Sequence, residues 1–302
     1  MSFLDKLLSG FGASTREASS VRATSAFPIG APPSPELRVE AGVASDPGCV
    51  RTVNEDALRV IRPTTPEGIA QFGVLAVVCD GMGGHEAGEI ASHLALETIV
   101  KRLESDDRDP PLALVRAVQA ANRAIHDAAR ANPKLHGMGT TCCALLLRGG
   151  AAYCAHVGDS RLYLMRGRQI FLMTEDHSAV MELVRKGVIT RDEARYHPDK
   201  NVISRALGSH KEVEVSAWTQ PFTVYPNDAF LICSDGLYDL VGDDELMDVV
   251  GEVHPQVACD RLISLARERG GHDNISVAVL RMRDDAERSP LPRDTRTIES
   301  AP

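Results

Sequence analysis

The sequence predicts an α+β fold built of antiparallel β-sheets with helices packed outside them. Three observations lead there. Strand-like apolar runs dominate the middle of the chain, long helical stretches come grouped rather than alternating with strands, and three strand ends carry an Asp. Without a strict βαβ alternation, antiparallel sheets with helices packed outside are the favoured arrangement.

The strand candidates are Ala57–Arg62, Phe72–Cys79, Thr140–Arg148, Ala151–Val157, Arg161–Met165, Phe230–Cys233 and Ile275–Arg281. Helices are expected over Glu86–Leu103, Leu112–Ala131 and Gln256–Arg269. In the second, Leu112, Val115, Val118, Ala121 and Ile125 keep the spacing of one buried face. Residues 176–208 form an insertion: a short helix from Ser178, then another opened by the capping-box pattern Thr190-Arg-Asp-Glu193. Next to a site, such an excursion is a candidate lid or substrate-selecting flap. Residues 1–37 read as a flexible tail, with Phe3, Leu4, Leu7, Leu8 and Phe11 on one face of a short helix before a Ser/Ala/Pro-rich linker. A polar end with three prolines, 284–302, is expected to be disordered, which leaves 38–283 as one domain.

Composition narrows the function. A net charge of −9 without a basic, aromatic-interleaved stripe argues against nucleic-acid binding. The seven Cys include no CxxC pair, and Cys79, Cys142, Cys143, Cys154 and Cys233 lie in apolar runs, so reduced thiols in a cytoplasmic protein are expected. No apolar stretch approaches the roughly 20 residues of a transmembrane segment, and the N-terminus lacks a secretion signal. A monomer is expected.

The chemistry sits in the acids. In Val77-Val78-Cys79-Asp80-Gly81 and Leu231-Ile232-Cys233-Ser234-Asp235-Gly236 the Asp follows its strand, whereas Asp273 precedes the strand from Ile275. If that last strand runs antiparallel to its neighbours, all three carboxylates gather at one end. Three convergent carboxylates suit hard divalent cations, although any one Asp-Gly could be a hairpin turn. Glu55 and Asp56 sit at a strand start and join the candidate metal ligands, and Asp159 sits at a strand end in Val157-Gly158-Asp159-Ser160-Arg161.

Taken in order, Arg51-x-x-Asn-Glu-Asp56, Asp80-Gly-Met-Gly-Gly-His85, Gly139-Thr-Thr141, Val157-Gly-Asp-Ser-Arg161, Thr174-x-Asp-His-Ser178, Asn201-x-x-x-Arg-Ala-Leu-Gly208, Cys233-Ser-Asp-Gly-Leu-x-Asp239 and His272-Asp-Asn-Ile-Ser-Val277 resemble the bacterial members of the protein phosphatase 2C (PPM) family. The resemblance runs from about residue 40 to 282. It implies a four-layer sandwich of two antiparallel β-sheets flanked by helical pairs, and metal-dependent hydrolysis of phosphoserine and phosphothreonine on proteins by metal-activated water, opposing a bacterial Ser/Thr kinase. The implied cofactors are two Mn²⁺ or Mg²⁺ ions, with a third, weaker site. By the same resemblance, Asp80 bridges the pair, Asp235 and Asp273 hold one ion, and Glu55 and the carbonyl of Gly81 serve the other. Asp159 and Asp239, with Asp235, match the third site, and Arg51 matches the phosphate-binding arginine. An arginine's planar fork suits phosphate oxygens. Eukaryotic members carry a His as general acid directly after Asp-Gly; here Met82, which has no proton to donate, stands there, and His85 is the nearest candidate. Two alternatives are a catalytically silent binding module of the same fold and a phosphatase dedicated to one partner-switching regulator. The acid set is complete, which disfavours the first.

Overall fold

The computed structural model describes residues 37–83, 87–105 and 109–284. The expected tails therefore lie outside the described residues except for Leu37 and Asp284, and so does His85. In chain order the strands begin with β1 (Leu37–Asp46), β2 (Asp56–Ile61), β3 (Val74–Met82), β4 (Gly139–Thr140), β5 (Cys142–Arg148) and β6 (Ala151–Val157). They continue with β7 (Arg161–Arg166), β8 (Gln169–Leu172), β9 (Ser216–Ala217), β10 (Phe222–Thr223), β11 (Ala229–Cys233) and β12 (Ile275–Asp284). The helices are α1 (Pro66–Gln71), α2 (Ala87–Glu104), α3 (Pro110–Ala131), α4 (Ala179–Arg185), α5 (Arg191–Arg195), α6 (Asp235–Tyr238), α7 (Asp243–Glu252) and α8 (Pro255–Glu268).

Two sheets form, and the strand pairs in both are antiparallel. One has the order β1-β12-β11-β7-β8; the other runs β10-β6-β5-β3-β2, with β4 beside β3 and β9 beside β6. The period of two along each strand explains the layers. Leu75, Val77 and Cys79 of β3 pack against Ala91, Ala95 and Ile99 of α2 and Leu114, Val118 and Ala121 of α3. Leu231 and Cys233 of β11, with Val277 and Val279 of β12, pack against Ala258, Leu262 and Ala266 of α8 and Leu246 and Val250 of α7. The alternate residues Ala76, Val78, Phe230, Ile232, Ala278 and Leu280 are also fully buried and point the other way, where the sheets meet. Full burial of one such aliphatic side chain stabilises by about 1.5–3 kcal/mol, so the strand termini are held by a rigid interior.

Local signals place the helices. Pro110 and Pro111 open α3, where a missing amide costs nothing. Ser178 Oγ accepts from Met181 N to cap α4, and the Thr190–Glu193 capping box forms in both directions at α5.

Among the departures from the sequence expectations, three shape the site's surroundings. Strand β1 pairs with β12 along its whole length, from Leu37↔Asp284 to Asp46↔Ile275; its alternating Leu37, Val39, Ala41 and Val43 are an edge-strand pattern with half-buried faces. Helix α7 adds the partner that α8 needs to cover the outer sheet. And β6 and β7 belong to different sheets, so Gly158–Ser160 crosses from one layer to the other and is no hairpin turn.

Candidate metal centre

The antiparallel register delivers the acids to one end. β12 runs against β11 with Cys233 opposite Val277, so Asp235, just past β11, and Asp273, just before β12, fall together. In the other sheet β2 and β3 place Asp56 directly opposite Asp80. Asp80 lies inside β3 rather than after it, because β3 continues past β5 to pair with β4 through Gly81↔Thr140. That shift leaves Thr141 as a hinge: its N–H donates to Asp80 O at 2.8 Å, and its Oγ1 accepts from Asp80 N at 2.9 Å.

Side chains bind the two sheets together here. Ser234 Oγ donates to Asp56 Oδ2 at 2.7 Å and accepts from Ser276 N at 3.0 Å. Asn274 accepts from Glu55 N at 2.8 Å through Oδ1, while its Nδ2 donates to Pro47 O at 3.1 Å and Val53 O at 2.9 Å. Glu55 then lies against the first turn of α2, where a Cβ on Gly88 would fall 2.4 Å from Glu55 Oε1 and one on Gly81 would fall 2.2 Å from Gly88 O. Only glycines permit that approach. One turn of α6 separates Asp235 from Asp239, whose amide donates to Asp235 O at 3.0 Å.

Arg51 stands at the mouth, half exposed, with Nη2 donating to Asp273 Oδ2 at 2.8 Å. Asp239 pairs with the ammonium of Lys200 from the flap, and His272 Nε2 lies 3.8 Å from the same carboxylate. Two clefts border the acids. One of about 920 Å³ runs beside Arg51, Val53, Glu55, Ile90 and Lys134; one of about 510 Å³ lies between the flap and Asp159, Tyr238 and Asp239.

Electrostatics give the cluster its chemical character. Burial, then the charges of Asp56, Asp235, Asp159 and Asp273, drive the Asp80 carboxyl well above the usual carboxylate range. Burial likewise lifts Asp159 strongly, with Asp235 and Asp176 adding to it. Asp56 is pushed up to about 7, mainly by burial, and Asp235 to about 6 by burial and then by Asp273 and Asp239. Among the described residues no three His, Cys, Asp or Glu side chains are already disposed as a ligand set. What fits cations is the unmet demand of this cluster: Glu55 Oε1, Asp56 Oδ1, Asp159 Oδ1 and Asp235 Oδ1 are buried without a hydrogen-bond partner. Buried anionic oxygens need neutralisation, and hard dications with oxygen preference provide it.

The structure thus brings Arg51, Glu55, Asp56, Asp80, Gly81, Asp159, Asp235, Asp239 and Asp273 to one end. The sequence reading gave no role to Thr141, Lys200, Ser234, Asn274 or Ser276, all of which grip these residues. Thr141, Ser234, Asn274 and Ser276 lie in the quoted motifs and Lys200 in none, and a hydrogen bond such as Asn274 to Glu55, 219 positions apart, has no local trace.

A buried set of carboxylates at one end of an antiparallel sandwich, edged by one arginine, defines a centre for divalent cations and an oxyanion. The chain belongs to the protein phosphatase 2C family, whose profile matches residues 51–267. It is 38% identical over 237 residues to the serine/threonine protein phosphatase PstP of Mycobacterium tuberculosis, covering 78% of this chain and 43% of that protein. It is 36% identical over 253 residues to the serine/threonine phosphatase Stp of Listeria welshimeri, covering 80% of this chain and 95% of the relative. A crystal structure of the PstP catalytic domain in complex with two manganese ions superposes with a TM-score of 0.69 at 35% identity, covering 82% of this chain and all of that one. The chain thus spans less than half of PstP and nearly all of the Listeria relative.

Proposed function

We propose that this chain removes phosphate from phosphoserine and phosphothreonine of proteins in a reaction that depends on divalent cations. The observation that carries the reading is the set of buried, like-charged carboxylates around Asp80, four of their neighbours' oxygens unpartnered, with Arg51 at the mouth. Two Mn²⁺ or Mg²⁺ ions would suit this set: Asp80 would serve both, Asp235 and Asp273 would hold one, and Glu55 and the Gly81 carbonyl would hold the other. Asp159 and Asp239 with Asp235 suit a third, weaker ion, while Asp56 spends one oxygen on Ser234. Such ions, when bound, neutralise phosphate charge and acidify water.

The chain's own residues do the rest. Arg51, oriented by Asp273, presents its remaining donors to the phosphate oxygens. Asn274 fixes Glu55 from behind, and Thr141 fixes the Asp80 backbone from both sides. Met82 has no proton to give a serine leaving group, so the acid must come from elsewhere at the site. The broad cleft beside Arg51, Glu55 and Lys134 leaves room for the substrate polypeptide. In this reading the protein opposes a Ser/Thr kinase and works as a cytoplasmic monomer; seven unpaired cysteines, and no described helix long and apolar enough to cross a membrane, support that setting. The test is phosphate release from phosphoserine and phosphothreonine peptides by purified protein with Mn²⁺ or Mg²⁺. Activity should vanish in a chelator and return on adding metal; undiminished turnover by metal-stripped protein would refute the reading.

A further inference from the structure

The turn that carries Asp159 crosses between the sheets and is held in an unusual way. Gly158 has φ +102°, and a Cβ on it would fall 2.7 Å from the Thr141 side chain, so the turn is pressed onto Thr141. Thr141 Oγ1 in turn pairs with Ser160 Oγ at 2.7 Å. On its other side the turn meets His177, at the base of the flap. Gly158 N donates to His177 Nδ1 at 3.0 Å, and His177 N donates to Gly158 O at 3.0 Å. The second bond is backbone only and any residue could make it. The first requires an acceptor of the right length at position 177.

The ring is set up to accept. The Gly158 N–H can only donate, so Nδ1 is bare and the proton of the neutral ring sits on Nε2, which lies 2.9 Å from Ser216 Oγ on β9. His156 stacks on it at 4.8 Å, Arg205 Nη1 lies 3.4 Å from Nε2, and the ring is 5% exposed. Burial first, then His156, Arg205 and Arg185, hold its pKa down to about 3. His177 O also accepts from Ser204 N at 2.8 Å, tying both strands of the flap's base to this point. Asp159 itself is 4% exposed, and its Oδ1 has no partner. Its aim therefore depends on the backbone that carries it.

We propose that His177 is a positioning residue: as a neutral Nδ1 acceptor it clamps the Gly158–Asp159 turn and so aims the Asp159 carboxylate at the third cation. The clamp makes the flap's base and that cation's site one mechanical unit. This rests on the reading of Asp159 as a ligand of the weaker ion. Outer-shell partners of this kind typically control metal affinity by about 10–100-fold.

Two substitutions separate clamp from packing in the full chain. His177→Asn puts an acceptor where Nδ1 stands; His177→Gln moves the polar group out toward Ser216. Calorimetric Mn²⁺ titration should show the weak binding step loosened about tenfold or more in His177→Gln but held within about threefold in His177→Asn. Hydrogen exchange at the Gly158 amide, measured without metal, should quicken in His177→Gln and stay as in wild type in His177→Asn. The proposal is overturned if His177→Gln matches wild type in both measurements. It is equally overturned if both variants lose binding and protection alike, in step with a lowered melting temperature. Asp159→Ala serves as the control. A weak step unchanged in that variant refutes the third-site reading, and the metal-free exchange measurement then shows separately whether the clamp exists.

Discussion

The strap Arg51–Asp56 and the flap 176–208 border the same carboxylates but are fixed by different means. The strap is bound from behind by Asn274, which spends three hydrogen bonds on Pro47, Val53 and Glu55, and by Ser234, which holds Asp56. The flap is anchored at its base by His177 and by the Ser178↔Ile203 bridge. Beyond that base, contact with the acids is the ion pair of Lys200 with Asp239, while Val188 and Tyr196 stand 64% and 88% exposed. Acids beside the strap are thus part of the folded core. Those beside the flap, Asp159 and Asp239, are aimed by a segment whose outer half is solvated.

The comparison is broken first at Asn274. Asn274→Ala leaves the Glu55 amide and two carbonyls without partners, and at roughly 1 kcal/mol per bond the expected loss is about 2–3 kcal/mol. Chemical denaturation of the metal-free protein reads it directly. A loss under about 0.5 kcal/mol would mean the strap is held elsewhere.

An effect of similar size, confined to acid pH, is expected at the flap's base. The folded protein holds His177 at about 3, through burial and the neighbouring His156, Arg205 and Arg185, whereas a solvated imidazole in the unfolded chain titrates at about 6.5. Below that value the unfolded state takes up a proton that the folded state refuses. The stability that His177 contributes therefore falls as the pH drops from about 6.5, by up to about 1.4 kcal/mol per unit, or about 2 kcal/mol by pH 5, while the buried carboxyls, whose folded pKa values are raised, change stability in the opposite sense. Melting curves from pH 7 to 5 should show wild type losing stability relative to His177→Asn; a difference between the two that stays constant over that range would show that His177 carries no pH dependence.

Much of the fold was legible because it is written locally. The continuous apolar runs of β3, β5, β6, β11 and β12 and the buried stripe of α3 mark the strands and a helix, and the acids at or near the strand ends mark where the carboxylates gather. Other features lack any such local mark. Strands β4, β9 and β10 are two residues long and exist only because a neighbour offers an edge. Gly158–Asp159 reads like a hairpin, and only the assignment of β6 and β7 to separate sheets turns it into a crossing. The grips on the acids, from Asn274, Ser234 and Lys200, join positions between 39 and 219 residues apart.

The smallest effect is expected at the flap's outer contact. Lys200→Met removes the ammonium from Asp239. A half-exposed pair of this kind contributes about 0.2–1 kcal/mol. Thermal stability should barely change, and the weak Mn²⁺ step should tighten by a few-fold, up to about fivefold for 1 kcal/mol. Weakened binding would show that Lys200 supports that site rather than competing for it.

The central claim is that Asp80, buried among like charges, is shared by two cations on which hydrolysis depends. Mn²⁺ stoichiometry and phosphopeptide turnover of Asp80→Asn, measured side by side with wild type, test it most directly. Wild type should bind two ions tightly; the variant should lose that pair and retain less than about a tenth of the rate, a barrier increase above about 1.4 kcal/mol. A variant that keeps both tight ions and more than a tenth of the wild-type turnover would contradict the account.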